Sequence, residues 1–188
     1  KAEAVRQVAA FADYSDYLRS LEMTVVLTDF QPVYIQRIAQ LTNKSNQFNL
    51  TTKRCSEEDI RHMQESDEYV CLCGRLKDKF GDNGIVSVVA GKIEDEVLSI
   101  QLWLMSCRVL KRGMEDAMMN ELVRLARQRG IMTIRGYYYP TAKNGMVRDF
   151  YVNEGFTRIE ETEKQNVDEL QVDCYTEREI YMQVEDRI

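Results

Sequence analysis

Arg108-Val109-Leu110-Lys111-Arg112-Gly113-Met114-Glu115 sets three cations and a glycine between an apolar stretch, Val97 to Met105, and a helical-period stretch, Met114 to Arg129. A strand that passes into a helix through such a turn aims several backbone N–H groups and the positive end of a helix dipole at one point, which is chemistry for holding an anion. Val97 to Met114 contains Arg108, Lys111 and Arg112 and no acidic residue, in a chain of formal net charge -6. The same turn also has a plain reading as a solvated basic loop tip. Glu68, Asp82 and His62 are each able to relay a proton from an amine. Each also has a structural explanation, as a strand end, a turn residue and a helix surface residue. Cys107 closes the apolar stretch, but a thiol nucleophile needs a base and no histidine lies near it in sequence.

The elements around these residues follow from period and punctuation. Glu3 to Leu21 has apolar residues near helical spacing (Val5, Val8, Phe11, Leu18) and reads as a helix or linker outside the main core, so that 1–22 is set apart from a domain over 23–188. Asp29 and Pro32 signal a helix start, with Tyr34, Ile38 and Leu41 on one face, and Ser56 before Glu57, Glu58 and Asp59 forms a capping box for a second helix around Ile60 and Met63. The period then changes to two. Glu68 to Arg75, Gly84 to Ala90 and Glu96 to Met105 read as three strands of an antiparallel meander, turned at Gly81-Asp82-Asn83-Gly84 and at Glu94-Asp95-Glu96. The Met114 to Arg129 helix ends on Arg124, Arg127 and Arg129 before Gly130, a glycine suited to the residue after a C-cap. A strand from Ile131 to Tyr139 follows, entered by a crossover and hence parallel to the strand before it, and Pro140 stops it. A helix from Asn144 to Asn153, with Asn144 as N-cap, and strands near Phe156 to Glu163 and Glu177 to Val184 complete the chain, with the acidic stretch between them read as a solvated loop.

Composition narrows the class. With 44% hydrophobic and 30% charged residues over 188 positions, the chain suits a globular domain with a real core. No apolar run approaches the roughly 20 residues that span a bilayer, no secretory signal is visible, and an acidic chain is a poor general ligand for nucleic acid. Five cysteines with no CxxC pair and a single histidine give no zinc constellation, which points to reduced thiols and a cytoplasmic setting. The chain opens on Lys1, consistent with a fragment of a longer protein.

Asn144-Gly-Met-Val-Arg-Asp-Phe150-Tyr151-Val-Asn-Glu-Gly155-Phe156 resembles the Asn-to-FYxxxGF signature of the GNAT acyltransferases, and the resemblance runs from about Val25 to the C-terminus. It implies an α/β (α+β) fold whose mixed sheet has an antiparallel meander followed by a parallel strand pair with a crossover helix. Tyr17 to Met23, Arg37 to Arg54, Phe80 to Gly84, Leu104 to Gly113 and Tyr138 to Asn144 further resemble the C-terminal region of FkbH-like proteins, which join a haloacid-dehalogenase-type domain to a GNAT-like one. The aspartates of the dehalogenase-type domain are absent from this chain, so its loading chemistry is not assigned here.

These resemblances imply an acyl donor, acyl-CoA (acetyl-CoA or similar) or the phosphopantetheine of an acyl carrier protein, lying between the two parallel strands. Leu104 and Met105 would face the thioester with their main-chain groups, where an N–H could stabilise an oxyanion. Arg108, Lys111, Arg112, Gly113 and Met114 would hold the pyrophosphate, Asn144 would contact the cofactor, and Tyr151 would act as general acid toward the leaving thiolate. The family's [QR]xxGxG pattern fits from Arg108, putting Lys111 at the first glycine, or from Leu110, putting Gly113 there and Glu115 at the last; the second spacing suits the helix better. The polar run Asn43 to Thr52 would border an acceptor pocket or simply be a hydrogen-bonded loop. Implied partners are an upstream dehalogenase-type domain and a carrier protein. Two functions follow as expectations: acyl transfer to a small polar acceptor, or a non-catalytic module that binds a carrier protein or its phosphopantetheine arm.

Overall fold

In the computed structural model, which describes residues 13–187, one eight-stranded mixed sheet carries helices on both faces. The elements in chain order are α1 (Tyr14–Ser20), β1 (Met23–Thr28), α2 (Ile35–Lys44), α3 (Glu57–Glu65), β2 (Tyr69–Asp78), β3 (Gly81–Glu94), β4 (Val97–Met105), α4 (Met114–Gln128), β5 (Thr133–Tyr138), α5 (Phe150–Asn153), β6 (Thr157–Glu161), β7 (Asn166–Gln171) and β8 (Met182–Asp186). The sheet order is β6-β7-β5-β4-β3-β2-β1-β8. β2, β3 and β4 form the antiparallel meander and β4 pairs in parallel with β5, as the sequence pattern requires.

Alternation along the strands sends Leu72, Val89, Trp103 and Met105 to one face, under α1, α4 and α5, and Cys73, Val88, Leu102 and Leu104 to the other, under α2 and α3. Helix α3 carries the full Ser56/Asp59 capping box. Helix α4 starts on Gly113, held at φ +83, and ends before Gly130, at φ +70, where a side chain would be strained.

Five expectations are corrected. Of the helix expected over Glu3 to Leu21, the part before Asp13 lies outside the described residues, and the described part, α1, is not outside the core: Tyr17, Leu18 and the following Leu21 are buried in the main cluster. Met23–Thr28, read as no element, is a strand between β2 and β8, its alternating burial hidden by brevity. The β2–β3 turn falls at Lys79 and Phe80, and Gly81 and Asp82 already pair with Asp78 and Lys77, because Asp78 accepts the Phe80 N–H and closes the turn early. The last strand is shifted toward the C-terminus, to Met182–Asp186.

The fifth correction matters most. The acidic stretch read as a loop contains β7, which lies between β5 and β6 and buries Asn166, Val167, Asp168 and Leu170. An aspartate survives there because the Arg158 guanidinium donates to both of its oxygens, at 2.9 and 3.4 Å. Removing the cation leaves an unpaired buried carboxylate, so Arg158→Ala should cost about 3–5 kcal/mol in chemical denaturation. A loss under about 1 kcal/mol would show that Arg158 does not secure this edge of the sheet.

Candidate functional site

β4 and β5 part where the resemblance places the donor. They pair only over Val97↔Thr133, Leu98↔Ile134 and Ser99↔Arg135. The cause is on the other edge of β4: between Gly91↔Ile100 and Ala90↔Leu102 the register slips by one residue, so Gln101 is an extra residue, a bulge that turns the strand away. Beyond it Trp103, Leu104 and Met105 follow β3 and leave β5.

The chain fills the resulting gap with its own backbone. Phe48 to Thr51, within the polar run expected to border an acceptor, forms an antiparallel bridge with β4 at Asn49↔Leu104. The Leu50 N–H donates to the Trp103 carbonyl at 3.0 Å and the Met105 N–H donates to the Phe48 carbonyl at 3.0 Å. On the opposite side the Tyr139 N–H donates to the Leu50 carbonyl at 2.9 Å. The Thr51 hydroxyl donates to the carbonyl of the bulged Gln101 at 2.9 Å. Phe48 packs edge-on against Phe150, and Leu50 is fully buried. Burying two such side chains is worth about 2 kcal/mol each, so this short strand is a packed part of the fold.

Asn144 serves that strand. It makes no capping bond, which corrects the N-cap expectation, and the segment after it is a 3-10 turn (Gly145–Val147) followed by the four-residue α5. Its side chain donates to the Asn49 and Tyr139 carbonyls, both at 3.0 Å, and accepts from the Thr141 N–H. One buried amide thus joins the inserted strand to the end of β5.

Tyr151 lies across the parting strands. A Cβ on Gly136, the first β5 residue past the parallel pairing, would meet the Tyr151 ring at 2.5 Å, and the Trp103 ring stands edge-on to it at 6.1 Å. The side chain is 1% exposed. Its hydroxyl and the Trp103 indole N–H are both buried without a hydrogen-bond partner among the described residues. Burial, and secondarily the Asp168 charge, push the Tyr151 phenol far above its ordinary value, so it is a proton donor and never a resting phenolate.

At the open end of the gap the turn is divided in its duties. Arg112 forms an ion pair with the nearly buried Asp78. Lys111 adopts φ +63, a conformation suited to glycine, and its carbonyl accepts the Tyr14 hydroxyl. Arg108 donates to the Ser106 hydroxyl and the Asn83 carbonyl, and neither Arg108 nor Lys111 forms an ion pair with a described residue. Met114 is buried. Arg37 approaches the same spot, its guanidinium pKa lowered by burial and then by the charge of Arg108.

Carboxylates crowd the start of α4. Burial raises the Glu115 carboxyl, one of whose oxygens is buried without a partner. Burial, then the hydrogen bond and charge of Asp116, push Glu154 up to about 9, so the Asp116–Glu154 pair keeps a proton at neutral pH. His62 is exposed on α3 beside the Tyr69 ring, Glu68 is exposed before β2, and Asp82 pairs with Arg75. Cys107 is exposed and meets Gln47.

Sequence reasoning missed Trp103, the inserted strand and the Asp116–Glu154 pair. A signal for the strand existed in the alternation Phe48-Asn49-Leu50-Thr51, masked by the polar residues on either side.

No family model matches the sequence, and no curated protein matches it significantly. Solved structures do. The ribosomal-protein-S18-alanine N-acetyltransferase of Escherichia coli aligns with a TM-score of 0.60 at 12% identity, over 82% of this chain and 98% of that one. The PaiA N-acetyltransferase of Thermoplasma acidophilum, solved in complex with coenzyme A, gives 0.57 at 14% identity, over 78% and 98%. The GNAT domain of PAT from S. lividans gives 0.60 at 16% identity, over 77% and 89%. Shared at this identity is the fold: the chain has the mixed α/β GNAT fold. No helix among the described residues is long and apolar enough to cross a membrane.

The Glu154 carboxyl makes a testable demand. Its folded-state value, about 9, lies above its ordinary 4.5, so the stability it contributes is fully present below about 4.5 and is lost as pH rises through 9. Thermal melts from pH 5 to 9 should show stability falling with pH in the native chain, and Glu154→Gln should flatten that slope. An unchanged slope would mean that Glu154 ionises freely.

Proposed function

We propose that the chain transfers an acyl group from a phosphopantetheine thioester, carried on acyl-CoA or on an acyl carrier protein, to a small polar acceptor. The observation that carries this reading is the Tyr151 hydroxyl, buried and unpartnered where β4 and β5 part. A buried hydroxyl without a partner costs about 1–3 kcal/mol, and a leaving thiolate in the gap would supply the missing acceptor. Burial keeps the phenol protonated at rest, as a general acid must be, and makes it a weaker acid than a free phenol. Arg108, Lys111 and the N–H groups at Gly113 and Met114 would hold the donor's phosphates. The carboxylate of Glu115 opposes them, and the proton kept by the Asp116–Glu154 pair lightens the local negative charge.

A second reading has its own support. The Met105 N–H, the candidate oxyanion donor, is already bonded to Phe48, and Arg37, Arg108 and Lys111 form a basic rim without an ion-pair partner among the described residues. A non-catalytic module that docks an acidic or phosphorylated carrier protein fits both features. In that reading the chain would serve a haloacid-dehalogenase-type domain, as the FkbH-like resemblance implies, in the cytoplasm.

The two readings separate on Tyr151→Phe. Deleting an unpartnered buried hydroxyl should leave stability unchanged or slightly raised, while thioester-dependent transfer should slow by about 10²-fold or more. An unchanged rate would remove Tyr151 from the chemistry. For the docking module, acyl transfer is absent altogether, and neutralising Arg108 and Lys111 should weaken carrier-protein binding and its salt dependence, measured by calorimetry.

A further inference from the structure

The inserted strand occupies the groups a thioester donor would use. Phe48 offers its carbonyl to the Met105 N–H, Leu50 offers its N–H to the Trp103 carbonyl, and the Leu50 carbonyl takes the Tyr139 N–H. An extended run of amides lies between β4 and β5, donor and acceptor alternating, in a slot wide enough for one chain. Beneath it the Tyr151 hydroxyl and the Trp103 indole N–H, both buried, find no partner in that strand.

The strand is packed into the sheet, yet it is supplied by a connection between helices and not by a long ladder. It joins β4 through one isolated bridge and the Thr51 hydroxyl, is held on the β5 side by Tyr139 and Asn144, and belongs to the connection between α2, ending at Lys44, and α3, starting at Glu57. Its next residue, Thr52, is held at φ +53, a left-handed conformation that a β-branched residue rarely adopts. The connection is folded on itself by Asn49, which accepts from the Thr52 N–H and donates to the Ser45 carbonyl, and by Arg54, which donates to the Thr42 and Ser45 carbonyls. A segment strained at one end and tied to its own flanks would leave the slot as a unit once its bonds to β4, Tyr139 and Asn144 are exchanged for contacts with a donor.

We infer that Phe48–Thr51 is an internal stand-in for the donor arm, and that an acyl donor enters by displacing it. The fold described here is then the closed state of the site. This rests on the acyl-transfer reading and adds a regulated donor slot to it. Displacement frees the Met105 N–H for the thioester oxygen and relieves Thr52. Donor affinity is lowered by whatever fraction of molecules keeps the strand in place.

Amide hydrogen exchange with and without millimolar coenzyme A tests this on the native chain. The Leu50 and Tyr139 amides should exchange about tenfold faster or more when coenzyme A is bound, while Met105, rebonded to the donor, stays slow. Phe48→Ala, which removes the strand's aromatic anchor, should bind coenzyme A about tenfold more tightly than the native chain, and Thr51→Val should shift affinity in the same direction. If coenzyme A binds while Leu50 and Tyr139 keep their protection, the strand is a fixed part of the fold and the inference fails, with the acyl-transfer reading left standing. If coenzyme A binds neither the native chain nor either folded variant, the donor reading itself falls and the inference with it. Should Phe48→Ala not fold, Thr51→Val and the exchange measurement decide.

Discussion

The one-residue bulge at Gln101 is the feature on which the rest of the molecule depends. It ends the parallel pairing of β4 and β5 after Ser99 and Arg135 and opens a gap across which their main-chain groups no longer pair with each other. Buried N–H and C=O groups must find partners, so an opening of this kind has to be filled by backbone, by water or by a ligand. Phe48 to Thr51, Asn144 and the ring of Tyr151 all sit where they do because of that requirement.

Two kinds of satisfaction meet in the gap and they disagree. The main chain is well paired: Trp103, Met105 and Tyr139 each have a partner in the inserted strand. The side chains below it are not, since Tyr151 and Trp103 keep orphaned polar atoms in a buried aromatic cluster with Phe150 and Phe156. A slot evolved only as core would not need those polar atoms. A slot kept open for a ligand would not tolerate so complete a plug. Exchange between plug and ligand reconciles the two.

The open end is equally divided. Arg108, Lys111 and Arg37 attract anions, while Glu115, Asp116 and Glu154 gather at the first turn of α4. Arg112, which resembles the others in sequence, is neutralised by Asp78 and stabilises the turn. The conformation of the turn is nevertheless glycine-like at two positions, because Lys111 and Gly113 both take positive φ. Both ways of laying a glycine motif on this segment therefore correspond to something physical.

The sequence by itself determined the meander, the crossover helix α4 with its glycine boundaries, the parallel pair and the basic turn. Those features are written in period, in capping residues and in punctuation, which are local properties of the chain. It did not disclose β1, or β7, whose acidic residues read as a solvated loop, nor that Asp168 could be buried, since its charge is matched by Arg158 ten residues away. Least legible was the site. Arg108, Met105, Asn144 and Tyr151 were named from the sequence, but their present partners, Asn83, Phe48, Asn49 and the ring of Trp103, come from distant segments. Only the tertiary structure decided that the gap holds the chain's own strand, because hydrogen bonds across a bulged sheet leave no trace in the spacing of neighbouring residues.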